Sequence, residues 1–362
     1  MKIEPDLKLD FDDVLLKPKR SSLSSRSAVD LSRKFTFKHS GVTWKGRPII
    51  AANMVATGTF DMAMTMASVK HKMLVALHKH YDPNDVVRFF RSRVDNRGTR
   101  GCVFYTIGTG KKEISKLSQI KQMLGGKFPM WLMIDVANGY QESFYDFIKK
   151  CRDAFPEATI AAGNVATPEA TEQIILSGAD IVKVGIGSGA VCTTRVVAGV
   201  GIPQFSAIVD CADAAHGLGG HIISDGGIRC PGDVSKSFGA GADFIMVGSY
   251  LAGTDECEGI WIHNSEFYDD PTQPSKHLQF YGMSSADAMQ KYAGGVAEYR
   301  APEGKTVRVP YKGPATGQLQ NLLGGLASAC TYAGAERLKD LSKCATFVRV
   351  TKTHNDHFGK SF

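Results

Sequence analysis

Eight short apolar runs recur along the chain, each closed by a polar or glycine-bearing turn. They are Pro48-Ile-Ile-Ala-Ala-Asn53, Met73-Leu-Val-Ala-Leu-His78, Cys102-Val-Phe-Tyr-Thr-Ile-Gly108, Trp131-Leu-Met-Ile-Asp-Val136, Thr159-Ile-Ala-Ala-Gly-Asn-Val165, Asp180-Ile-Val-Lys-Val184, His221-Ile-Ile-Ser-Asp-Gly-Gly227 and Phe244-Ile-Met-Val-Gly-Ser249. Helical segments fall between them, at about residues 60–69, from 83, at 112–124 and 142–155, with a further helix opening on Thr167-Pro168-Glu169. That last start has a capping residue followed by proline at the first helical position, where its missing N–H costs nothing. Strands alternating with helices build parallel βαβ units, and eight such units close into a barrel. The expected architecture is therefore α/β, a (β/α)8 TIM barrel, and 362 residues accommodate it as one domain, 1–362, with insertions.

Barrel enzymes keep their chemistry at the C-terminal ends of the strands. Polar residues gather there in this chain: Asn53, His78-Lys79, Asp135, Asn138, Asn164, Asp225 and Ser249. After the sixth run comes Gly185-Ile-Gly187-Ser-Gly189-Ala190-Val-Cys192-Thr-Thr194-Arg195, a cysteine on a glycine-broken loop. Such a loop allows three chemistries: carbonyls that ligate a monovalent cation, amides that cradle a phosphate, and a thiol that attacks an electrophilic carbon. Arg195 would favour the thiolate if it lay close, and Thr194 can pass a proton. The small residues after the last two strands, Gly226-Gly227 and Gly248-Ser249, suit the phosphate site common at that position in barrels. Between Leu251 and a final helical run at about 318–333, a long segment (roughly 255–313) rich in Gly, Pro, Asp, Glu and Tyr reads as a structureless lid. It carries Glu303, a carboxylate able to reach the barrel mouth.

Composition narrows the partners. The net charge is +7 and the pI about 8.9, but the Lys and Arg residues are spread without a basic, aromatic-studded stripe. An anionic small molecule is thus favoured over nucleic acid. No run approaches the roughly 18 apolar residues of a membrane span, and the acidic, proline-broken N-terminus is unlike a secretory signal, which points to the cytoplasm. The eight cysteines, at 102, 151, 192, 211, 230, 257, 330 and 344, form no CxxC pair, so free thiols are expected and a zinc site is not.

Four stretches together carry a family resemblance: the Cys192 loop, Ser224-Asp225-Gly-Gly, Tyr281-Gly-Met-Ser-Ser and Ala297-Glu-Tyr-Arg300-Ala-Pro-Glu303-Gly-Lys. They resemble the IMP dehydrogenase and GMP reductase family, and the likeness runs from Leu9-Asp10-Phe11 to Thr346-Phe347-Val348. Cys192-Thr-Thr-Arg and the lack of an inserted regulatory (CBS) domain pair between His80 and Cys102 resemble the reductase branch. The resemblance implies reductive deamination of GMP to IMP and ammonia by NADPH, through a thioimidate on Cys192, with Thr194 and Glu303 moving the proton. It also implies a substrate site of Asp225 for the ribose, Gly226, Gly227, Gly248 and Ser249 for the phosphate, and Gly282, Met283, Ser284, Arg300, Ala301, Pro302, Glu303 and Gly304 for the base. Potassium would lie on Gly187, Gly189, Cys192 and Arg195. The dinucleotide would contact Lys79, Asp135, Val136, Ala137, Ile186, Gly187, Met283, Tyr299 and Arg300. Ser25, Arg26, Ser328, Ala329, Cys330 and Thr331 would reach it from a neighbour in a homotetramer.

Three positions depart from the family's pattern. Val55 stands where a carboxylate is usual, Ala190 where a serine is, and Ser188 where the reductases carry proline. The rival enzyme reading is a dehydrogenase without its regulatory domains, and it lacks support because no Arg-Tyr dipeptide, the family's water-activating pair, occurs in the chain. A catalytically weak nucleotide-binding homologue, suggested by Val55 and Ala190, conflicts with the intact Cys192, Thr194 and Glu303.

Overall fold

The computed structural model describes residues 1–68, 70–92, 99–125, 130–263, 276–299 and 301–351. Its strands, in chain order, are β1 (Val14–Leu16), β2 (Arg33–Thr36), β3 (Thr43–Gly46), β4 (Ile49–Ala51), β5 (Leu74–Leu77), β6 (Val103–Ile107), β7 (Trp131–Asp135), β8 (Thr159–Val165), β9 (Ile181–Val184), β10 (His221–Asp225), β11 (Phe244–Val247), β12 (Trp261–His263), β13 (Lys276–Tyr281), β14 (Thr306–Pro310) and β15 (Phe347–Arg349). Strands β4 to β11 pair in sequence, all parallel, and β11 closes on β4. These are the eight runs seen in the sequence, and the barrel is the expected one.

Helices sheathe the barrel because each has one apolar face. In Glu142–Ala154, for example, Phe144, Tyr145, Phe147, Ile148 and Cys151 are buried at helical spacing while the charged positions face out. The helix Phe60–Met66 is shorter than its pattern suggested: the chain turns back toward β5 after Ala67, passing through Lys72 at φ 46°. Val69 lies outside the described residues. Thr167 does occupy the N-cap ahead of Pro168, but its side chain makes no capping bond; its carbonyl instead accepts the Thr171 hydroxyl at 2.9 Å. No helix among the described residues is long and apolar enough to cross a membrane.

Inside the barrel, strand side chains alternate between lumen and helix layer. The lumen is filled by Ile50, Leu74, Phe104, Trp131, Met133, Ala161, Ile181, Ile223 and Phe244, among others. The β2–β3 hairpin, which the sequence did not announce, packs Phe35, Phe37 and Trp44 against this cluster. Phe35 lies 4.4 Å from Phe244 and Phe37 meets Trp131 edge-on at 5.3 Å, centroid to centroid. Burying such rings is worth roughly 1.5–3 kcal/mol each, enough to hold the hairpin as a plug. Continuing the same alternation to the C-terminal ends of the strands gives Met54, His78, Thr106, Asp135, Gly163, Lys183, Asp225 and Gly248. The lumen thus changes from apolar to polar within one layer.

The segment after β11 differs from the structureless lid expected. Strands β12, β13 and β14 form an antiparallel sheet, and the helix Ala286–Ala293 is capped by the Ser285 hydroxyl accepting from the Ala288 amide. Alternating burial along β13 is the signature of such a half-covered sheet, and its short strands were hidden among turn residues. The root of this flap is pinned by two backbone bonds, Lys312 to the Gly253 carbonyl at 2.9 Å and Asp255 to that of Gly313 at 3.0 Å.

Candidate active site

Strand β9 delivers its loop straight onto the end of β10. At Gly185 the backbone takes φ 154°, and a Cβ there would stand 1.9 Å from the Asp225 carbonyl oxygen, so only glycine permits the approach. Ser188 donates to that same carbonyl at 3.1 Å, and the Cys192 amide donates to Gly189 at 3.0 Å. The turn therefore holds Cys192 half-buried at the barrel mouth.

The cysteine begins a directed relay. Its Sγ donates to Thr194 Oγ1 at 3.3 Å, and Thr194 Oγ1 donates to Glu303 Oε2 at 2.7 Å. Glu303 comes from the flap, 109 residues along the chain from Thr194, and its backbone is fixed on both sides. Its amide donates to Ser284 at 3.0 Å and its carbonyl accepts from Thr193 at 3.1 Å. The Lys305 amide adds a bond to Val191 at 2.9 Å, so Cys192 and Gly304 face each other as an antiparallel bridge. A nucleophile, a hydroxyl and a carboxylate in series are the parts of a proton-handling covalent site.

Below this loop lies a charged cluster. Lys183 Nζ contacts a carboxylate oxygen of Asp135, stands 3.2 Å from Asp225 Oδ2 and 3.4 Å from Asn53 Oδ1. Asp225 Oδ2 also accepts from Asn164 Nδ2 at 2.9 Å, while Asn164 donates again to the Gly185 carbonyl at 2.8 Å. Burial pushes the Asp135 carboxyl up, but the charges of Lys183 and Lys79 more than offset it and the net direction is down. For Lys183 burial pulls down, the two aspartates push up, and the net direction is up. Asp135 and Lys183 are thus each favoured in the charged form.

Other expected site residues fall around the mouth. Gly226 and Gly227 follow Asp225, and a cavity of about 170 Å³ beside them is lined by Ser188, Ala190, Gly227 and Arg229 among others. Ala190 thus does face the expected phosphate region, where the missing serine would have offered a hydroxyl. Val55 is buried. Ser249 lies just beyond β11, its carbonyl accepting from Lys312 Nζ at 3.2 Å. Gly282, Met283 and Ser284 form the turn after β13, with the Gly282 amide bonded to the Lys305 carbonyl at 3.2 Å. Ala301 and Pro302 lead into Glu303; Arg300 lies outside the described residues, and Tyr299 is exposed.

Of the residues expected to meet the dinucleotide, Val136 is bonded to the Gly163 carbonyl at 2.8 Å, Ala137 is exposed, and Ile186 and Gly187 are half-buried on the cysteine loop. Lys79 is half-buried next to His80, whose ring stacks on Tyr292 of the flap at 3.7 Å. Burial, with Lys79 beside it, pulls the His80 imidazole down to about 4, so this ring is a neutral platform at physiological pH. The short 3-10 helix Arg26–Ala28, with Ser25 at its N-cap, packs on the helix Ala315–Ala333, which carries Ser328, Ala329, Cys330 and Thr331. Within that set the Cys330 thiol is fully buried in the core and Thr331 donates to the Ala327 carbonyl.

One expectation of charge does not hold. Arg195 does not pair with the thiol; it binds Asp10 Oδ2 at 3.1 Å and the Ile202 carbonyl at 3.0 Å. The N-terminal segment claims it, since Asp10 also accepts the Gln204 amide at 3.1 Å. Sequence reasoning passed over both Asp10 and Lys183, although a single charged residue inside Ile181-Val-Lys-Val was a visible signal for the latter.

Comparison with known proteins agrees with this geometry. A family model described as "IMP dehydrogenase / GMP reductase domain" matches residues 8–357. The chain is 54% identical to a GMP reductase of Serratia proteamaculans over 362 residues, covering the whole of both chains. It is 54% identical to GMP reductase 1 of Mus musculus and 53% identical to GMP reductase 1 of Homo sapiens, with 99% of each chain covered in both cases. The chain belongs to the IMP dehydrogenase and GMP reductase family.

Proposed function

We propose that this protein is a GMP reductase, converting GMP to IMP and ammonia at the expense of NADPH in purine salvage. The observation that carries the reading is the relay from Cys192 through Thr194 to Glu303, closed by the flap. The Cys192 thiol gives its proton through Thr194 to Glu303 and adds to C2 of the purine. Glu303 returns that proton through Thr194 to the 2-amino group, which leaves as ammonia and creates a thioimidate. NADPH, held by the residues assigned to the dinucleotide, would supply a hydride to C2, and the Cys192 sulfur departs as the thiolate when IMP forms.

Asp225, oriented by Asn164 and Lys183, accepts from the ribose hydroxyls, and the amides of Gly226, Gly227, Gly248 and Ser249 take the phosphate. The flap segment from Gly282 to Ser284 and from Arg300 to Gly304 encloses the base and excludes water, which favours reduction of the thioimidate over its hydrolysis. Lys79, Asp135, Val136 and Ala137 line the dinucleotide side, with Ile186, Gly187, Met283, Tyr299 and Arg300. The carbonyls of Gly187, Gly189 and Cys192, with Arg195 nearby, would offer the neutral oxygen donors that suit potassium, which would stiffen the turn. Ser25 and Arg26, with the stretch from Ser328 to Thr331, reach the dinucleotide of a neighbouring barrel in a homotetramer. Eight free cysteines support a reducing, cytoplasmic setting for a single catalytic domain.

The test is NADPH oxidation followed optically with purified protein. GMP should trigger it, with ammonia and IMP formed in equal amounts. Reduction of NAD by IMP with no response to GMP would place the protein on the dehydrogenase side of its family, and no turnover of either would leave a binding protein.

A further inference from the structure

Lys183 is 3% exposed in a strand otherwise wholly apolar, at the level where the barrel lumen turns polar. It can extend across the mouth because its neighbour on β8 is Gly163, where a Cβ would lie 2.7 Å from Lys183 Cβ and 2.4 Å from its carbonyl oxygen. Its three ammonium donors find three acceptors, Asp135, Asp225 and Asn53. Asn164 steadies Asp225 from the other side. No catalytic step above uses this lysine, yet it touches both carboxylates assigned to ligands.

We propose that Lys183 is a positioning residue shared by the two ligand sites: one ammonium holds Asp225 toward the nucleotide and Asp135 toward the dinucleotide. The assignment rests on the functional reading above. Without the ammonium, two carboxylates would converge on the space it filled, in a site with little water. Like charges so placed do not both remain ionised. One carboxyl would take a proton and present a donor where a ligand hydroxyl needs an acceptor. The loss therefore falls on both ligands, and removing one of the two negative charges should relieve it.

The experiment compares the full-length wild type, Lys183→Met and Lys183→Met combined with Asp135→Asn. GMP affinity is read by calorimetry and NADPH affinity by fluorescence. The single variant should weaken both ligands by roughly ten- to a hundredfold, the scale of a lost charged hydrogen bond. The double variant should regain part of the GMP affinity, because Asp225 then ionises alone, while NADPH affinity stays low. A merely structural lysine would give no such recovery. A single variant that spares either ligand, or a double variant no better than the single for GMP, would overturn the assignment alone. A wild type that binds neither ligand would overturn the functional reading and the assignment with it. If Lys183→Met does not fold, Lys183→Arg takes its place: its rigid guanidinium must shift both affinities in the same direction, and a change in only one refutes the sharing.

Discussion

Replacing Glu303 by glutamine separates proton transfer from the architecture of the flap. The carboxylate accepts from Thr194 at 2.7 Å, while its own amide and carbonyl are tied to Ser284 and Thr193. Glutamine keeps the size, and the backbone bonds do not involve the side chain, so the flap should stay seated. What disappears is the group that, in the proposed mechanism, stores the proton between the thiol and the departing amine. General acid–base assistance is worth about 10²–10⁴-fold, which corresponds to roughly 3–5 kcal/mol of barrel-mouth chemistry at about 1.4 kcal/mol per tenfold. Release of ammonia from GMP, measured in a single turnover by rapid quench, should slow by that factor. The hydride half-reaction can be isolated by running IMP and NADP backwards to the thioimidate. It needs only the thiolate, which solvent can generate, and should lose less than about tenfold by the same scale. Equal losses in the two halves would show that Glu303 organises the flap, and unchanged rates in both would make it a solvated loop charge.

Two further predictions concern the scaffold. Asp180, fully buried, accepts from the His39, Ser40 and Ile160 amides and from Arg152 Nη2 at 2.8 Å. Asp180→Ala strands all four donors and should cost about 3–5 kcal/mol in denaturant unfolding, whereas a cost below about 1 kcal/mol would mean the site relaxes around the loss. His216 is raised above its usual 6.5, first by its hydrogen bond to Asp243. Its folded value exceeds the unfolded one, so its stabilisation is complete below the unfolded value and is lost as pH rises through the folded one. The melting-temperature gap between wild type and His216→Gln should be widest in mildly acidic buffer and close in alkaline buffer; a gap that widens with pH would reverse the sign.

How much of this was legible in the sequence depends on how locally each feature is encoded. All eight barrel strands were, because a parallel strand covered on both faces must read as an apolar run bounded by turns. Cys192 and Thr194 stood out since a cysteine that follows three alternate glycines and precedes Thr-Thr-Arg is poorly placed for an apolar core. The flap's sheet was not legible: Trp261–His263 and Thr306–Pro310 are short, half-exposed and paired with residues far along the chain. The partner of Arg195 was equally hidden, because Asp10 meets it through a contact spanning 185 residues. Lys183 lay in plain view but reads as an oddity until β7 and β10 bring Asp135 and Asp225 to it.

The central claim is that Cys192 is the covalent nucleophile, and Cys192→Ala tests it most directly. In the proposed site the ribose is held by Asp225 at the end of β10 and the phosphate by the turns after β10 and β11, so calorimetry should find GMP bound with an affinity within about threefold of wild type, the effect of a contact worth well under a kcal/mol. Ammonia release and NADPH oxidation should both be undetectable. An alanine variant that still turned over GMP at about a tenth of the wild-type rate, a barrier change of only about 1.4 kcal/mol, would contradict covalent catalysis at this residue.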